Sequence, residues 1–274
     1  MGDRPQELEA CLESIRAQRP AGQIVVVYNG ANPETTPAGV DVVTSQDNRG
    51  IPGGRNLGAD RANGEILFFL DDDATVATPN LVQRVLSRFA EDPKLCVVSF
   101  RIADQTGESS RRHVPRLRTS DPRQTFYSTT FLGGACAVRR TAFELVGRYS
   151  ARFFYAHEET DLSWRLLDHG YRILYDGEMV VSHPRTTTAR HRSAIRLSAR
   201  NRVWLARRRL PIPLVPIYTL TWLFIQLVRS RSLNEIRSLL SGTIEGISVP
   251  AGKRSPMSWS TVVTMTRLGR PPFI

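Results

Sequence analysis

The 274-residue sequence is 41% hydrophobic and 23% charged, which allows a sizeable core and excludes a disordered chain. Its formal net charge of +11 points to a polyanionic neighbour: nucleic acid, a phosphate-rich substrate or an anionic membrane surface. Three widely spaced cysteines, Cys11, Cys96 and Cys136, exclude a disulfide framework and a cysteine zinc site, and they suit a reducing compartment. The polar opening MGDRPQELEA reads as no signal peptide.

In chain order, Leu8, Cys11, Leu12 and Ile15 predict a helix over Asp3–Arg19, with Asp3 at the N-cap and Pro5 in the first turn. The β-branched run Ile24–Tyr28 predicts a strand ended by Asn29-Gly30, and Val40–Thr44 a second short one. Asp47–Gly58, DNRGIPGGRNLG, reads as a glycine-rich loop. Ile66–Leu70 is an apolar strand. After Thr78-Pro79, Leu81, Val82, Val85, Leu86 and Phe89 form one face of a helix, and Leu95–Phe100 is again a strand. Arg101–Arg123 is polar and basic and reads as a mobile connection over the active face. Thr141 and Glu144 have capping-box spacing, with Gly147 closing that helix. Asp161–His169 is expected to be helical up to Gly170, and Tyr171, Ile173 and Tyr175 alternate as in a strand that leads through Met179–Val181 to His183. Strands alternating with helices predict an α/β fold with a mostly parallel sheet, whose ligands bind beyond the carboxyl ends of the strands.

Asp71, Asp72 and Asp73 stand at such an end, directly after ILFFL. Adjacent carboxylates repel, so they need firm solvation or a bound cation. Two readings stay open: solvated acids ahead of the next helix, or a site for Mg²⁺ or Mn²⁺ that bridges to substrate phosphates.

Five stretches, in order over Ile24–Pro184, resemble the family 2 glycosyltransferases: IVVVYNG, DNRGIPGGRNLGADRANGEILFFLDDDA, FLGGACAVRRTAFELVGRY, FFYAHEETDLSWRLLDHGYRI and VVSHP. The resemblance implies a GT-A fold and an inverting transferase that uses a nucleoside-diphosphate sugar and a divalent metal. It puts Asn29, Gly30, Arg55, Asn56, Asp71, Asp72, Gly133 and Gly134 at the nucleotide sugar, with Asp71 and Asp72 near the ribose. Asp73 would ligate the metal, with His183 as a further metal or phosphate contact. It also implies a base among Glu158, Glu159 and Asp161. Motif register favours Glu159, although the family's motif has Glu-Asp where this chain has Glu158-Glu159. Residue types alone leave plainer readings open: a self-bonded polar loop for Arg55 and Asn56, a surface histidine for His183, and a first-turn helix acid for Asp161. The family's first strand, expected ahead of Met1, is absent from the sequence, so the nucleobase pocket is expected to be incomplete.

Arg185–Arg209 is densely basic, and Leu210–Val228 has no charged residue. Pro211, Pro213 and Pro216 interrupt it, which leaves Ile217–Val228 too short to span a bilayer. It reads either as a helix in the membrane interface with arginines on lipid phosphates, or as a helix packed on the catalytic domain. No nucleic-acid module is present. The expected organisation is a catalytic domain over 1–205 and a helical, membrane-associated region over 206–274. The expected protein is a cytoplasmic glycosyltransferase, peripheral at the inner face of the membrane, with a glycan or lipid-linked acceptor. The alternatives are a nucleotidyltransferase or phosphotransferase, and an inactive membrane-peripheral binding protein of the same fold.

Overall fold

The computed structural model describes residues 4–33, 35–117, 121–184 and 193–273. The expected N-cap Asp3 and residues 185–192 of the basic run lie outside them. The chain opens with α1 (Pro5–Arg16), β1 (Val25–Asn29), β2 (Asp41–Ser45) and α2 (Gly50–Arg61). Then follow β3 (Ile66–Leu70), β4 (Thr75–Val76), α3 (Leu81–Glu91), β5 (Leu95–Ala103) and β6 (Phe126–Tyr127). The second half holds β7 (Ala135–Arg139), α4 (Arg140–Leu145), α5 (Glu158–Asp168) and β8 (Arg172–Ser182). The helices α6 (Ala194–Arg209), α7 (Leu214–Arg229), α8 (Leu233–Ser248) and α9 (Trp259–Arg267) complete it.

The fold is α/β, but its sheet is mixed rather than mostly parallel. In the main sheet the order is β3-β7-β5-β8-β4, with β6 also on β8, and only the β5–β8 pair is parallel. Helix–strand alternation favours parallel neighbours only where a helical crossover joins them side by side, and here β7 enters between β3 and β5 antiparallel to both. The parallel pair β1–β2 forms a separate two-stranded sheet. Among the described residues, one edge of β1 and one edge of β3 therefore lack a strand partner. Val26 and Val27 from β1, and Phe68, Phe69 and Leu70 from β3, line a common cavity.

The glycine-rich segment is a helix, not a loop. Glycine lowers helix propensity, but here close packing overrides it. A Cβ on Gly58 would stand 3.1 Å from Val27 Cγ2, and one on Gly54 3.1 Å from Asn29 Nδ2. The bare face of α2 thus lies directly on β1. Gly50 opens the helix at φ +71°, where a Cβ would meet the Phe154 carbonyl oxygen at 2.2 Å. The capping box at Thr141 does not form either. Strand β7 runs straight into α4, and the Arg140 N–H donates to the Glu65 carbonyl at 2.9 Å, so a neighbouring segment takes the donor a cap would have served.

Helix α3 buries Leu81, Val85 and Phe89 against one face of the sheet, as its spacing predicts, each burial contributing about 1.5–3 kcal/mol. Leu86 stays exposed. On the other face one buried cluster joins Phe69, Phe143, Leu162 and Ile173 with Leu205, Leu210, Tyr218, Met257 and Met265. The C-terminal helices therefore share a core with the sheet. Among the described residues, no helix is long and apolar enough to cross a membrane.

Candidate active site

The carboxyl ends of β1 and β3 open onto a cavity of about 1130 Å³, lined among others by Arg4, Asn29, Arg55, Asp71, Asp72, Asp73 and His183. The turn after β1 is built by Asn29. Its side-chain oxygen accepts the Arg49 N–H at 2.8 Å and its amide donates to the Gly50 carbonyl at 2.9 Å. Gly30, at φ +77°, donates its N–H to the Ser45 carbonyl at 2.9 Å.

The three aspartates after β3 divide. Asp71, Asp73 and His183 come together, one donor atom of each lying within 4.8 Å of the others. His183 Nε2 stands 3.0 Å from Asp73 Oδ1, while its Nδ1 faces the Pro184 carbonyl at 2.8 Å. The second contact orients the ring and leaves Nε2 as the atom turned to the carboxylates. Burial works to raise Asp73, but the His183 hydrogen bond and the nearby charges of His183 and Arg4 outweigh it and hold the carboxyl well below the usual range. The same hydrogen bond raises His183 above an ordinary histidine. Asp72 turns instead to Arg4, whose guanidinium donates to it at 2.6 Å and also pairs with Asp73. Two carboxylates and an imidazole nitrogen make a hard donor set that fits Mg²⁺ or Mn²⁺. The motif resemblance pairs Asp71 with Asp72; the geometry groups it with Asp73 and His183.

Arg55 links this cluster to the second acidic group. It donates to Glu159 Oε1 at 2.8 Å, reaches Asp71 Oδ1 at 3.5 Å, and lies 3.7 Å from Glu158. Burial opposes its charge, but Glu159, Asp71 and Glu158 together push its pKa up. Glu158 is 2% exposed, and its Oε2 has no partner among the described residues. Burial first, then the charge of Glu159, raise its pKa to about 8. Glu159 keeps 21% of its side chain exposed and is the more accessible acid. Asp161 is wholly buried: Arg209 donates to it at 2.7 Å and Arg165 at 3.0 Å, a cluster that ties α5 to α6. Asn56 makes both side-chain hydrogen bonds with the Tyr149 backbone, at 2.9 and 3.2 Å, and does not line the cavity.

Gly133 and Gly134 make room for these charges. A Cβ on Gly133 would stand 2.2 Å from both Arg55 Nη1 and Glu159 Oε1, and one on Gly134 2.1 Å from Asp71 Oδ2. Gly134→Ala is therefore expected to displace Asp71, weakening metal affinity at least tenfold while changing the thermal midpoint little. Mn²⁺ titration of the folded variant checks this, and unchanged affinity would dissociate Gly134 from the carboxylate geometry.

Several contributors carry no motif signal. Asn201 on α6 puts its amide within 2.6–3.0 Å of the Phe153, Tyr155 and Ala156 carbonyls. It thereby braces a segment in which Phe154, Ala156 and His157 all have positive φ, a conformation costing about 1 kcal/mol or more per residue. That strained segment delivers Glu158 and Glu159. Arg112 and His113, from the basic connection, also line the cavity. Burial and Arg112 lower His113 to about 4.

Comparison with known proteins bears on the family and the fold. The profile of glycosyl transferase family 2 matches residues 3–147. The O-antigen biosynthesis protein RfbC of Myxococcus xanthus is 25% identical in an alignment of 217 positions that covers 69% of this chain and 17% of that protein. The chain spans less than half the length of the curated relatives it matches. Among solved structures, GalNAc-T7 with UDP, GalNAc and Mn²⁺ aligns at TM-score 0.61 and 15% identity, over 88% of this chain and 53% of that one. Mannosyltransferase PcManGT of Pyrobaculum calidifontis, with GDP-Man and Mn²⁺, aligns at 0.58 and 18%, over 98% and 82%. These neighbours share the GT-A fold, and the profile covers more than half of the sequence, including the aspartates after β3 and both glycines before β7. The chain belongs to glycosyl transferase family 2.

Proposed function

We propose that this protein is a metal-dependent, inverting glycosyltransferase that moves a sugar from a nucleoside-diphosphate sugar to an acceptor hydroxyl. The carrying observation is that the cavity wall bears a set able to hold a metal, Asp71, Asp73 and His183, and that Arg55, on the same wall, ties Asp71 to the carboxylate pair at the start of α5. Asp71, Asp73 and His183 would hold Mn²⁺ or Mg²⁺, which when bound neutralises charge on the departing diphosphate. Asn29 and Gly30 shape the nucleotide's wall. Glu159 accepts the proton of the acceptor hydroxyl as that oxygen attacks the anomeric carbon. The bond from that carbon to the diphosphate oxygen breaks, and its electron pair leaves with the nucleoside diphosphate. Arg55 holds Glu159 in place. Ion-paired Asp161 is a structural acid on this reading. Nucleoside diphosphate release, measured across common sugar nucleotides with Mn²⁺ and an acceptor mixture, is the direct test. Release of inorganic pyrophosphate instead would identify a nucleotidyltransferase.

The acceptor is proposed to lie at a membrane, in the assembly of a cell-envelope or polysaccharide glycan, with the protein at the inner face. Ile217, Leu220, Phe224 and Val228 of α7, and Leu233, Leu240, Ile244 and Ile247 of α8, are exposed apolar residues. Arg229, Arg231 and Arg237 stand near them in sequence. Such a surface suits shallow insertion with arginines on anionic headgroups, each contributing about 1 kcal/mol. Flotation with anionic vesicles, and release by high salt, is the expected behaviour. Equal failure to float with anionic and neutral vesicles would remove the membrane from the proposal.

A further inference from the structure

Outside the acidic cavity, two arginines stand without a counter-charge among the described residues. Arg202, on α6, and Arg270, just beyond α9, line a small cavity of about 90 Å³ together with Thr130, His157, Thr160 and Tyr218. Both side chains are only partly exposed. No described carboxylate pairs with either; the neighbours of Arg202 are the Trp222 ring, 3.9 Å away, and Tyr218. Desolvation works against the charge of both arginines, and Arg202 adds repulsion at Arg270. Burial and the two arginines also drive His157 well below its ordinary value, so it is neutral and a hydrogen-bonding group. Two desolvated cations without an anion are unfavourable, and an anion between them would remove that cost.

The Arg202–Trp222 pair is also a wall of a second cavity, about 290 Å³ in volume, enclosed by α6, α7 and α8. Its lining is mainly apolar, with Ile195, Val203, Leu223 and Leu239. Two polar atoms there, Thr219 Oγ1 and Trp222 Nε1, are buried without partners among the described residues. A cationic pocket thus abuts an apolar one across a shared side-chain pair, and the exposed apolar faces of α7 and α8 belong to the same helices.

We propose that these two cavities form one binding site for a phosphate-bearing amphiphile, its phosphate between Arg202 and Arg270 and its chain between α6, α7 and α8. His157 and Thr160 flank Glu158-Glu159 in the chain, so such a ligand lies beside the carboxylate pair without entering the donor cavity. That the amphiphile is the acceptor rests on the glycosyltransferase reading; the site itself does not.

Calorimetric titration of the intact protein with decyl phosphate below its micelle concentration, inorganic phosphate and decanol tests the site. Decyl phosphate is expected to bind at least tenfold more tightly than inorganic phosphate, and decanol not to bind measurably. Arg270→Gln and Arg202→Gln should each weaken decyl phosphate at least tenfold while UDP or GDP binding with Mn²⁺ stays unchanged. Arg270 lies beyond the last helix, so its variant keeps the test open if Arg202→Gln misfolds. Unchanged decyl phosphate affinity in folded Arg270→Gln would overturn the proposal, and Arg202 would then serve only to pack on Trp222. Equal affinity for inorganic and decyl phosphate would overturn the amphiphile and leave a free-phosphate site. Nucleoside diphosphate release from sugar nucleotides does not depend on this titration, so either reading can fail alone.

Discussion

Glu159→Gln is expected to lower kcat by about two to four orders of magnitude and to leave donor affinity nearly unchanged, the signature of a lost general base. Glutamine keeps the shape and the contact with Arg55 but cannot take a proton. Arg55 stays beside Asp71, so the donor side of the cavity is retained. Steady-state kinetics with donor binding measured separately decide the case. If Glu158→Gln gives this profile and Glu159→Gln does not, the base is the buried neighbour. Glu158 has its own pH signature. Its carboxyl titrates higher in the folded chain than in the unfolded one, so the folded state binds the extra proton between the ordinary carboxylate range and about 8. Stability attributable to Glu158 is therefore full below that window and lost as pH rises through it. Glu158→Gln should flatten that part of the stability–pH curve.

Chelation is expected to abolish transfer, and Asp73→Asn to reduce it to background or raise the required Mn²⁺ by orders of magnitude. A neutral amide is a poor ligand for a hard cation, and the substitution removes a strongly acidic oxygen from the set. A second readout is independent of turnover. His183 owes its raised pKa first to the hydrogen bond with Asp73, so its pKa should fall toward the ordinary histidine value in Asp73→Asn. Proton NMR of the His183 ring reports this without any donor present. Full activity of the variant in chelator would sink the metal role.

The site was legible in sequence where chemistry and spacing coincide. An apolar run of strand length that ends in three aspartates concentrates charge at a sheet's ligand-binding edge, and β3 occupies the residues read for it, Ile66–Leu70. The acidic cluster was legible as a group, with motif register favouring Glu159, but the surroundings that separate its members were not. Whether Asp161 faces a cavity or three arginines depends on Arg165, Arg208 and Arg209, two of which lie more than forty residues downstream. Glycine misled once: in α2 it signalled a loop, although the missing side chains serve contact with β1. At Gly133 and Gly134 the resemblance pointed to the nucleotide, and sequence alone did not show that the bare Cα positions also leave space for Asp71, Arg55 and Glu159. Asn201 was invisible because its partners are backbone carbonyls, which no sequence pattern marks. Strand direction was likewise beyond reach, since β7 inserts antiparallel between two strands that precede it in the chain.

The isolated β1–β2 pair bears on the energetics of ligand affinity. Two strands alone have little independent stability in water, and this pair is anchored chiefly through the glycine face of α2. Its local opening should need far less free energy than opening the main sheet, so hydrogen exchange is expected to be faster in the turn carrying Asn29 and Gly30 than in β5 and β8. On the proposed function, part of a nucleotide's interaction free energy would then go into quieting that segment. Measured affinity understates the strength of the contacts by that amount, and whatever restrains β1 beforehand raises affinity without touching the nucleotide.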